Sequence, residues 1–381
     1  MRRVLVLGYT HDFFDKRVFL KCVLSLSEVF DEVVYPFWKR ERKVSFSIPE
    51  NVTPVGLPPF HMRTWKRTLF DDPKYKESIL NLPGQFDFVV SHDTQGYLAQ
   101  KRFFRKLKQK FGAKLVFDLH EFLPSASFPS IPDSPVKNWI IEKLWLSRIL
   151  DEADAFVVVN DFVKQTLGKK GTNRPVFILP NFAHQETFTS LEKKKDRIAI
   201  VGGIRNDNGP KEYQKLVEVF LERSHFDFTF IGTPKAALVD FGFPAPLLEN
   251  PRLHFPGFLP YSAMLEEISM CSFSISHLNF RNINSRFSLP NRFYDSLCAG
   301  TPILVPFQLE EQWKIVEREK VGVGFDLTKE NWPLELLHKI EEAEYPAIAE
   351  NLREKMNLFS FEAHKRPLQE FFFSLLSKDG V

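Results

Sequence analysis

The feature that most constrains this chain is a repeated unit: a short unbroken apolar run rich in β-branched residues, a turn, then a longer amphipathic stretch. Val4–Leu7 leads into a helical pattern from about Asp15 to Val29, and Glu32–Phe37 follows. Phe88–Val90, Leu115–Phe117, Ala155–Val159 and Val176–Leu179 continue the series. A strand apolar along its whole length must be covered on both faces, unlike one that alternates. Parallel strands joined by crossover helices meet that requirement, so the pattern predicts a doubly wound α/β domain. The unit then restarts. Ile198–Val201, the pair Gly202-Gly203 and a helix from about Lys211 to Glu222 open a second series, continued by Phe228–Ile231, Leu253–Phe255, Ser272–Ser276, Ile303–Val305 and Gly322–Phe325.

A length of 381 residues suits two such domains. We place the first at 1–185, a polar linker at 186–196 around Glu192-Lys193-Lys194-Lys195-Asp196, and the second at 197–359. A last helix signal, Ser360 to Leu376 within a segment 360–381, either closes the second domain or packs back on the first. The expected fold class is therefore α/β, two Rossmann-like doubly wound domains facing a cleft. Ligands bind at the carboxyl ends of the strands in such folds.

Composition narrows the classes. With 44% hydrophobic and 26% charged residues the chain is an ordinary globular one, not a disordered one. No apolar run approaches the ~18–20 residues of a transmembrane helix. After Val4–Leu7, the charged residues Asp12, Asp15, Lys16 and Arg17 follow too soon for a signal peptide. Cys22, Cys271 and Cys298 are too few and too scattered for a disulfide framework or zinc cluster, so a reducing cytoplasmic setting is expected. Residues 1–190 carry a net charge of +7 and residues 191–381 carry −4, which suggests different partners for the two halves. The 40 phenylalanines imply large aromatic cores.

Several positions offer chemistry. Between Arg286 and Pro306, Ser288 or Leu289 would cap a helix with Pro290 in its first turn, followed by Asn291 and Arg292, with Asp295 deeper in and Gly300 ending it. The N–H groups and dipole at such a start favour an anion, and a carboxylate further along could take ribose hydroxyls. An ordinary helix–strand unit with a solvated Asp295 fits the spacing equally well. Gly202 and Gly203 follow a strand and would let the backbone approach phosphate, with Arg205 and Lys211 close behind. His120 follows another strand and either faces the cleft, or pairs with Glu121, or caps the next helix; His92 has a similar place. In the first loop Asp12 or Asp15, with Arg17 close by, either meets an acceptor or N-caps the next helix. No Asp-x-Asp pair occurs in the chain. Lys101–Lys114 holds seven basic residues and no acid, with Phe103, Phe104, Leu107 and Phe111 at helical spacing. It reads as a helix packed by its apolar stripe with a solvated basic side; docking on anionic lipid is the sharper alternative.

The segment Pro290, Arg292, Asp295, Ala299, Gly300, Pro302, Ile303 resembles the donor-binding motif of GT-B glycosyltransferases, above all the large retaining family 4. Asp118-Leu-His-Glu121, Asp151-Glu-Ala-Asp154, Leu179-Pro180-Asn181, Ile200–Ile204 and Asn250–Leu259 resemble further pieces of that family in the same order. The chain departs from the pattern at Phe287, where a Glu is usual, and at Gly203 and Asn208, which stand in the usual Arg and Lys slots. The resemblance implies a retaining, metal-independent transfer of a sugar from a UDP-, GDP- or ADP-linked donor, with no other cofactor. The acceptor would be a glycan, a lipid-linked sugar or a small molecule. A lipid-linked one would suit peripheral contact of the basic first domain with an anionic membrane, and no nucleic acid partner is expected, since no binding module is recognised. It assigns catalysis to His120, Asp295 and Arg205, and donor binding to Gly202, Gly203, Arg205, Lys211, Ser288, Leu289, Pro290, Asn291, Arg292 and Asp295. It assigns the acceptor side to Gly8, Tyr9, Thr10, Asp12, His92 and Glu121. A sugar-nucleotide epimerase of the same fold, or a non-catalytic carbohydrate- or partner-binding member, are the alternatives.

Overall fold

Among the described residues every strand pair is parallel, as unbroken apolar strands require. The computed structural model describes residues 1–8, 11, 13–37, 47–57, 73–92, 97–120, 134–141, 147–184, 195–204, 209–281 and 283–377. The expectations for Tyr9, Thr10, Asp12, Glu121, Arg205, Asn208 and the linker at 186–194 fall outside them. The chain divides into two units, one of residues 1–180 with 364–381, the other of residues 181–363.

In the first unit β1 (Arg3–Leu7), β2 (Glu32–Phe37), β3 (Val52–Gly56), β4 (Phe88–Ser91), β5 (Lys114–Leu119), β6 (Ala155–Val158) and β7 (Val176–Ile178) form one sheet in the order β3-β2-β1-β4-β5-β6-β7. β1, β4 and β6 are buried along nearly their whole length. β3 escaped the sequence reading because it lies at the sheet edge, is largely exposed and contains Pro54. The helix expected from Asp15 is instead a π-helix, Lys16–Val23, continued by a short α-helix, Leu24–Ser27. The Asp15 carbonyl accepts from both Phe19 and Leu20 N–H at 2.9 and 3.2 Å, the wider ring of a π turn. From His364 onward the C-terminal helix Glu362–Leu376 belongs to this unit. Phe372 meets Phe88 edge-on at 5.4 Å, Phe371 stacks on Phe177, and Gln369 Nε2 donates to the Ser25 carbonyl at 2.9 Å.

The second unit repeats the scheme with β8 (Lys195–Val201), β9 (Asp227–Ile231), β10 (Leu253–Gly257), β11 (Cys271–Ile275), β12 (Ile303–Pro306) and β13 (Gly322–Phe325), in the order β10-β9-β8-β11-β12-β13. Its main core gathers Ile198, Ile200, Tyr213, Phe228, Phe230 and Trp332 from strands and covering helices. All three cysteines are free and buried. Among the described residues no helix is long and apolar enough to cross a membrane.

Candidate active site

Each sheet reverses its strand order once, between β1 and β4 in the first unit and between β8 and β11 in the second. Crossovers leaving such a pair run to opposite faces of the sheet, which opens a crevice at the carboxyl ends where ligands settle. The residues that the sequence offers for chemistry concentrate at these two places.

In the first unit the chain leaves β1 at Gly8, whose carbonyl accepts from His11 N–H at 3.0 Å. Asp15 then caps the π-helix: its Oδ1 accepts from Arg17 and Val18 N–H at 2.8 and 2.9 Å, and its Oδ2 lies 3.3 Å from His11 Nδ1. Burial opposes ionisation of Asp15, but His11 and these two N–H groups hold its carboxyl far below the ordinary value. Of the two readings open for Asp15, the structure shows the cap.

Capping aims Arg17, which is 5% exposed, at Asp118 near the end of β5. The guanidinium grips both carboxylate oxygens, Nε at 3.1 and 3.0 Å and Nη2 at 2.7 Å, while Nη1 donates to the Leu179 carbonyl at 2.8 Å. Two histidines complete the cluster. His92 Nδ1 lies 3.2 Å from Asp118 Oδ2, and His120 Nδ1 lies 3.5 Å from Oδ1. His120 Nε2 is 3.2 Å from the His92 carbonyl, so it carries the proton in that hydrogen bond. The two rings stack at 5.4 Å, and His11 meets His120 edge-on at 5.2 Å. Burial pushes His120 down to about 4 against the pull of Asp118, so its imidazole is neutral at physiological pH. Burial also resists ionisation of Asp118, yet Arg17, then His120 and His92, keep it well below the usual carboxylate range.

His92, Asp118 and His120 each offer one ligand atom within 4.8 Å of the others. The histidine planes differ by only 12°, so their in-plane lone pairs run side by side rather than toward one point. Arg17 already neutralises the carboxylate, and a divalent cation beside that guanidinium would meet strong repulsion. The cluster is better built for holding a neutral, oriented imidazole than a metal ion.

In the second unit β8 ends in the Gly202 turn. Gly202 has φ +84°, and a Cβ there would stand 3.3 Å from Arg292 Nη2. Its N–H donates to the Ile231 carbonyl at 2.8 Å, and its own carbonyl accepts from Thr233 Oγ1 at 2.9 Å. The Thr233 oxygen accepts in turn from Ile204 N–H at 3.1 Å, which sets the path of the Gly202-Gly203 backbone. The guanidinium of Arg292 thus lies against a glycine turn at the switch point of the sheet. A Gly202→Ala chain should lose about 1–2 kcal/mol of stability through the left-handed backbone and displace Arg292; melting and nucleotide titration would register both.

Arg292 comes from the helix Asn291–Cys298, which Pro290 caps without a side-chain bond. Ser288 is therefore not the cap expected for it. The Ser288 hydroxyl donates to the Ser285 carbonyl at 3.2 Å, the Ser288 carbonyl accepts from Gln312 at 3.1 Å, and the Leu289 carbonyl accepts from Asn181 at 3.0 Å. These bonds and the buried Leu289 side chain anchor the loop. Lys211 is exposed in the first turn of the helix Pro210–Arg223, two residues from the buried Tyr213 and so on the opposite helix face. Asp295 is 4% exposed rather than solvated, and its Oδ1 accepts from Tyr261 Oη at 2.9 Å. Tyr261 Oη accepts in turn from His184 N–H at 3.2 Å.

Three participants escaped the sequence reading: the Arg17–Asp118 pair, Tyr213 and His277. Tyr213 Oη donates to the Ser276 carbonyl at 2.9 Å. His277 follows β11, 7% exposed, with Nε2 3.2 Å from the Ser285 carbonyl. Burial and then the charge of Arg292 lower His277 to about 4. Nothing local in the sequence marks these partners, since each pair is far apart along the chain.

The basic helix, Tyr97–Phe111, buries Phe103, Phe104, Leu107 and Phe111 in the core of the first unit. Arg105 pairs with Glu152 and Lys108 with Asp154 at 2.5 and 2.7 Å. The packed stripe and the paired basic side agree with the plainer of its two readings.

Known proteins point the same way. Residues 32–186 match the family model Glycosyltransferase Family 4. HepE from Anabaena, solved in complex with UDP-glucose, superposes with a TM-score of 0.67 at 12% identity, over 98% of this chain and 100% of its own. WaaG, a glycosyltransferase involved in lipopolysaccharide biosynthesis, gives 0.63 at 12% over 95% and 98%. UGT2 of Phytolacca americana gives 0.58 at 11% over 99% and 100%. No curated protein matches the chain by sequence. Residues 32–186 thus match a glycosyltransferase family model, and the two parallel sheets with these superpositions give the whole chain the GT-B fold.

Proposed function

We propose that this glycosyltransferase draws its sugar from a nucleoside-diphosphate donor bound at the switch point of the second unit. The observation that carries this reading is the Arg292 guanidinium set against the Gly202 turn. As the glycosidic bond of the donor breaks, negative charge grows on the departing diphosphate. A fixed cation stabilises that charge without a metal. Two observations support metal independence: the absence of an Asp-x-Asp pair from the sequence and the Arg17 guanidinium that already neutralises Asp118 in the first unit. UDP is the favoured base, because HepE was solved with UDP-glucose and UGT2 with a fluorinated analogue of it.

The first unit takes the acceptor and the sugar. His120 is neutral, its ring is oriented by the Nε2–H bond to the His92 carbonyl, and it borders the sugar without adding charge. Retention of configuration, with the departing phosphate assisting, follows from the family resemblance. A ribose contact through Asp295 has to compete with the Tyr261 phenol already bonded to that carboxylate. The exposed Arg102, Lys106 and Lys110 form the row through which the first unit would meet an anionic membrane if the acceptor is lipid-linked.

Calorimetric titration with UDP, GDP, ADP and dTDP in EDTA tests the donor site. One nucleotide is expected to bind, and Arg292→Gln to weaken it roughly 100-fold, the scale of losing a charged hydrogen-bonded contact. Equal binding by Arg292→Gln, or none by the wild type, would remove the donor site from this position.

A further inference from the structure

We infer that Phe258 is the platform on which the base of the nucleotide donor stacks. The inference rests on the donor-site reading above and extends that site from the diphosphate to the far end of the nucleotide.

Phe258 directly follows β10 and is 78% exposed, whereas every other phenylalanine among the described residues is buried or half-buried. Its backbone is nevertheless fixed on both sides. Before it, Gly257 turns the chain at φ +75°, and the Gly257 carbonyl accepts from Gly232 N–H at 2.8 Å. After it, Leu259 packs against the core cluster of Ala199, Val201, Ile231 and Leu265. Pro260 then caps the helix Tyr261–Ser269, and its carbonyl accepts from Met264 N–H at 2.8 Å. A rigid segment therefore holds an apolar ring out in water. The burial that ring could gain is left for a ligand.

A chain of direct contacts leads from this ring to the donor cation. Arg292 lies against Gly202, and a Cβ on Gly232 would stand 3.6 Å from the Gly202 Cα. Gly232 in turn bonds Gly257, the residue before Phe258. These three glycines end β8, β9 and β10, which are neighbours in the sheet. The edge between the guanidinium and the phenyl ring is thus a floor of glycine backbone. Strands about 4.8 Å apart set β10 about 10 Å from β8, within the reach of an extended nucleoside diphosphate. With its diphosphate at Arg292, such a ligand brings its base to Phe258.

The middle of that path is also provided for. Asp295 lies one helical turn beyond Arg292 and accepts from the Tyr261 phenol, three residues after Phe258, at 2.9 Å. The segments that carry the two ends of the path therefore meet at a carboxylate suited to ribose hydroxyls. Phenylalanine offers a face and no hydrogen-bonding group. Since every base has a π-face, the ring adds affinity without choosing among bases.

The test is calorimetric titration of UDP, or of GDP if the wild type prefers it, into variants at this position. Phe258→Ala is expected to bind roughly tenfold more weakly, the scale of one stacked base, and to melt at the wild-type temperature. Phe258→Trp should keep wild-type affinity, and its added tryptophan fluorescence should be quenched as the nucleotide saturates. Phe258→Leu should resemble the alanine variant, because it is apolar without a ring face. Wild-type affinity in Phe258→Ala would overturn the inference, and so would added fluorescence that saturation leaves unchanged. A leucine variant as tight as the tryptophan one would exclude stacking, and early melting of Phe258→Ala would mark a packing role instead. If Arg292→Gln weakens binding and Phe258→Ala does not, the donor site stands and the inference falls. A wild type that binds no nucleotide removes both.

Discussion

Arg17→Met is expected to destabilise the first unit by about 3–5 kcal/mol, the range for breaking a buried ion pair from one side. The reason is what remains behind. Asp118 is 2% exposed, and both its oxygens rely on Arg17 as their donor. Without the guanidinium the carboxylate must stay charged in a dry environment, or take a proton, or draw one onto His120 or His92 beside it. Each alternative costs free energy at neutral pH, and the histidine route becomes cheaper in mild acid. Urea unfolding should therefore show a larger defect at pH 8 than at pH 5. The double variant Arg17→Met, Asp118→Leu should recover most of the loss, because it buries no unpaired charge. A single variant as stable as wild type, or a double variant no better than the single, would show that the pair does not hold the β1 and β5 ends together.

Acidification should weaken both units before any carboxylate titrates. His120 in the first unit and His277 in the second each have a folded value of about 4, against 6.5 when unfolded. Between those values the unfolded chain holds more protons, so stability falls as pH drops below about 6.5 and goes on falling to about 4. One proton corresponds to about 1.4 kcal/mol per pH unit, so each unit should lose roughly 3 kcal/mol across that window. The groups facing His120 are Asp118, Arg17, His92 and His11; those near His277 are Arg292 and the Ser285 carbonyl. Asp118 and Asp15 have depressed values, so their contribution is present above about 3.8 and is lost only at lower pH. The expected profile is an early decline from the histidines and a later one from the carboxylates. His120→Gln should flatten the early decline in the first unit alone, and His277→Gln in the second alone. Denaturation midpoints constant from pH 7 to pH 4.5 would refute it. Separate transitions for the two units are expected, so each is to be fitted by itself.

How much of this was legible from sequence depended on the range of the interaction. The paired α/β pattern was readable because a strand covered on both faces has to be apolar throughout, and that is a local property of residues such as Val4–Leu7 and Ile198–Val201. Strand β3 was not, because an exposed edge strand needs no such pattern and tolerates Pro54. The four apolar residues of the basic helix were readable from their helical spacing. The π-helix after Asp15 was not, because its wider turn is set by what Arg17 must reach.

The candidate site divides in the same way. Gly202-Gly203 and the segment from Pro290 to Gly300 announced themselves by residue type and spacing, and the family order strengthened them. Which of their neighbours face that turn was decided only in three dimensions. Arg292 lies against Gly202, while Lys211 turns outward and Asp295 binds Tyr261. Arg17 and Asp118 are 101 residues apart, and the sheet order sets β1, which leads into the π-helix of Arg17, two places from the β5 strand of Asp118. Sequence alone thus determined the strands, the restart of the pattern and the glycine turn, because periodicity and backbone freedom are local. The tertiary structure decided the long-range charge pairs and the protonation of His120, because desolvation and partner distance exist only once the sheets have assembled.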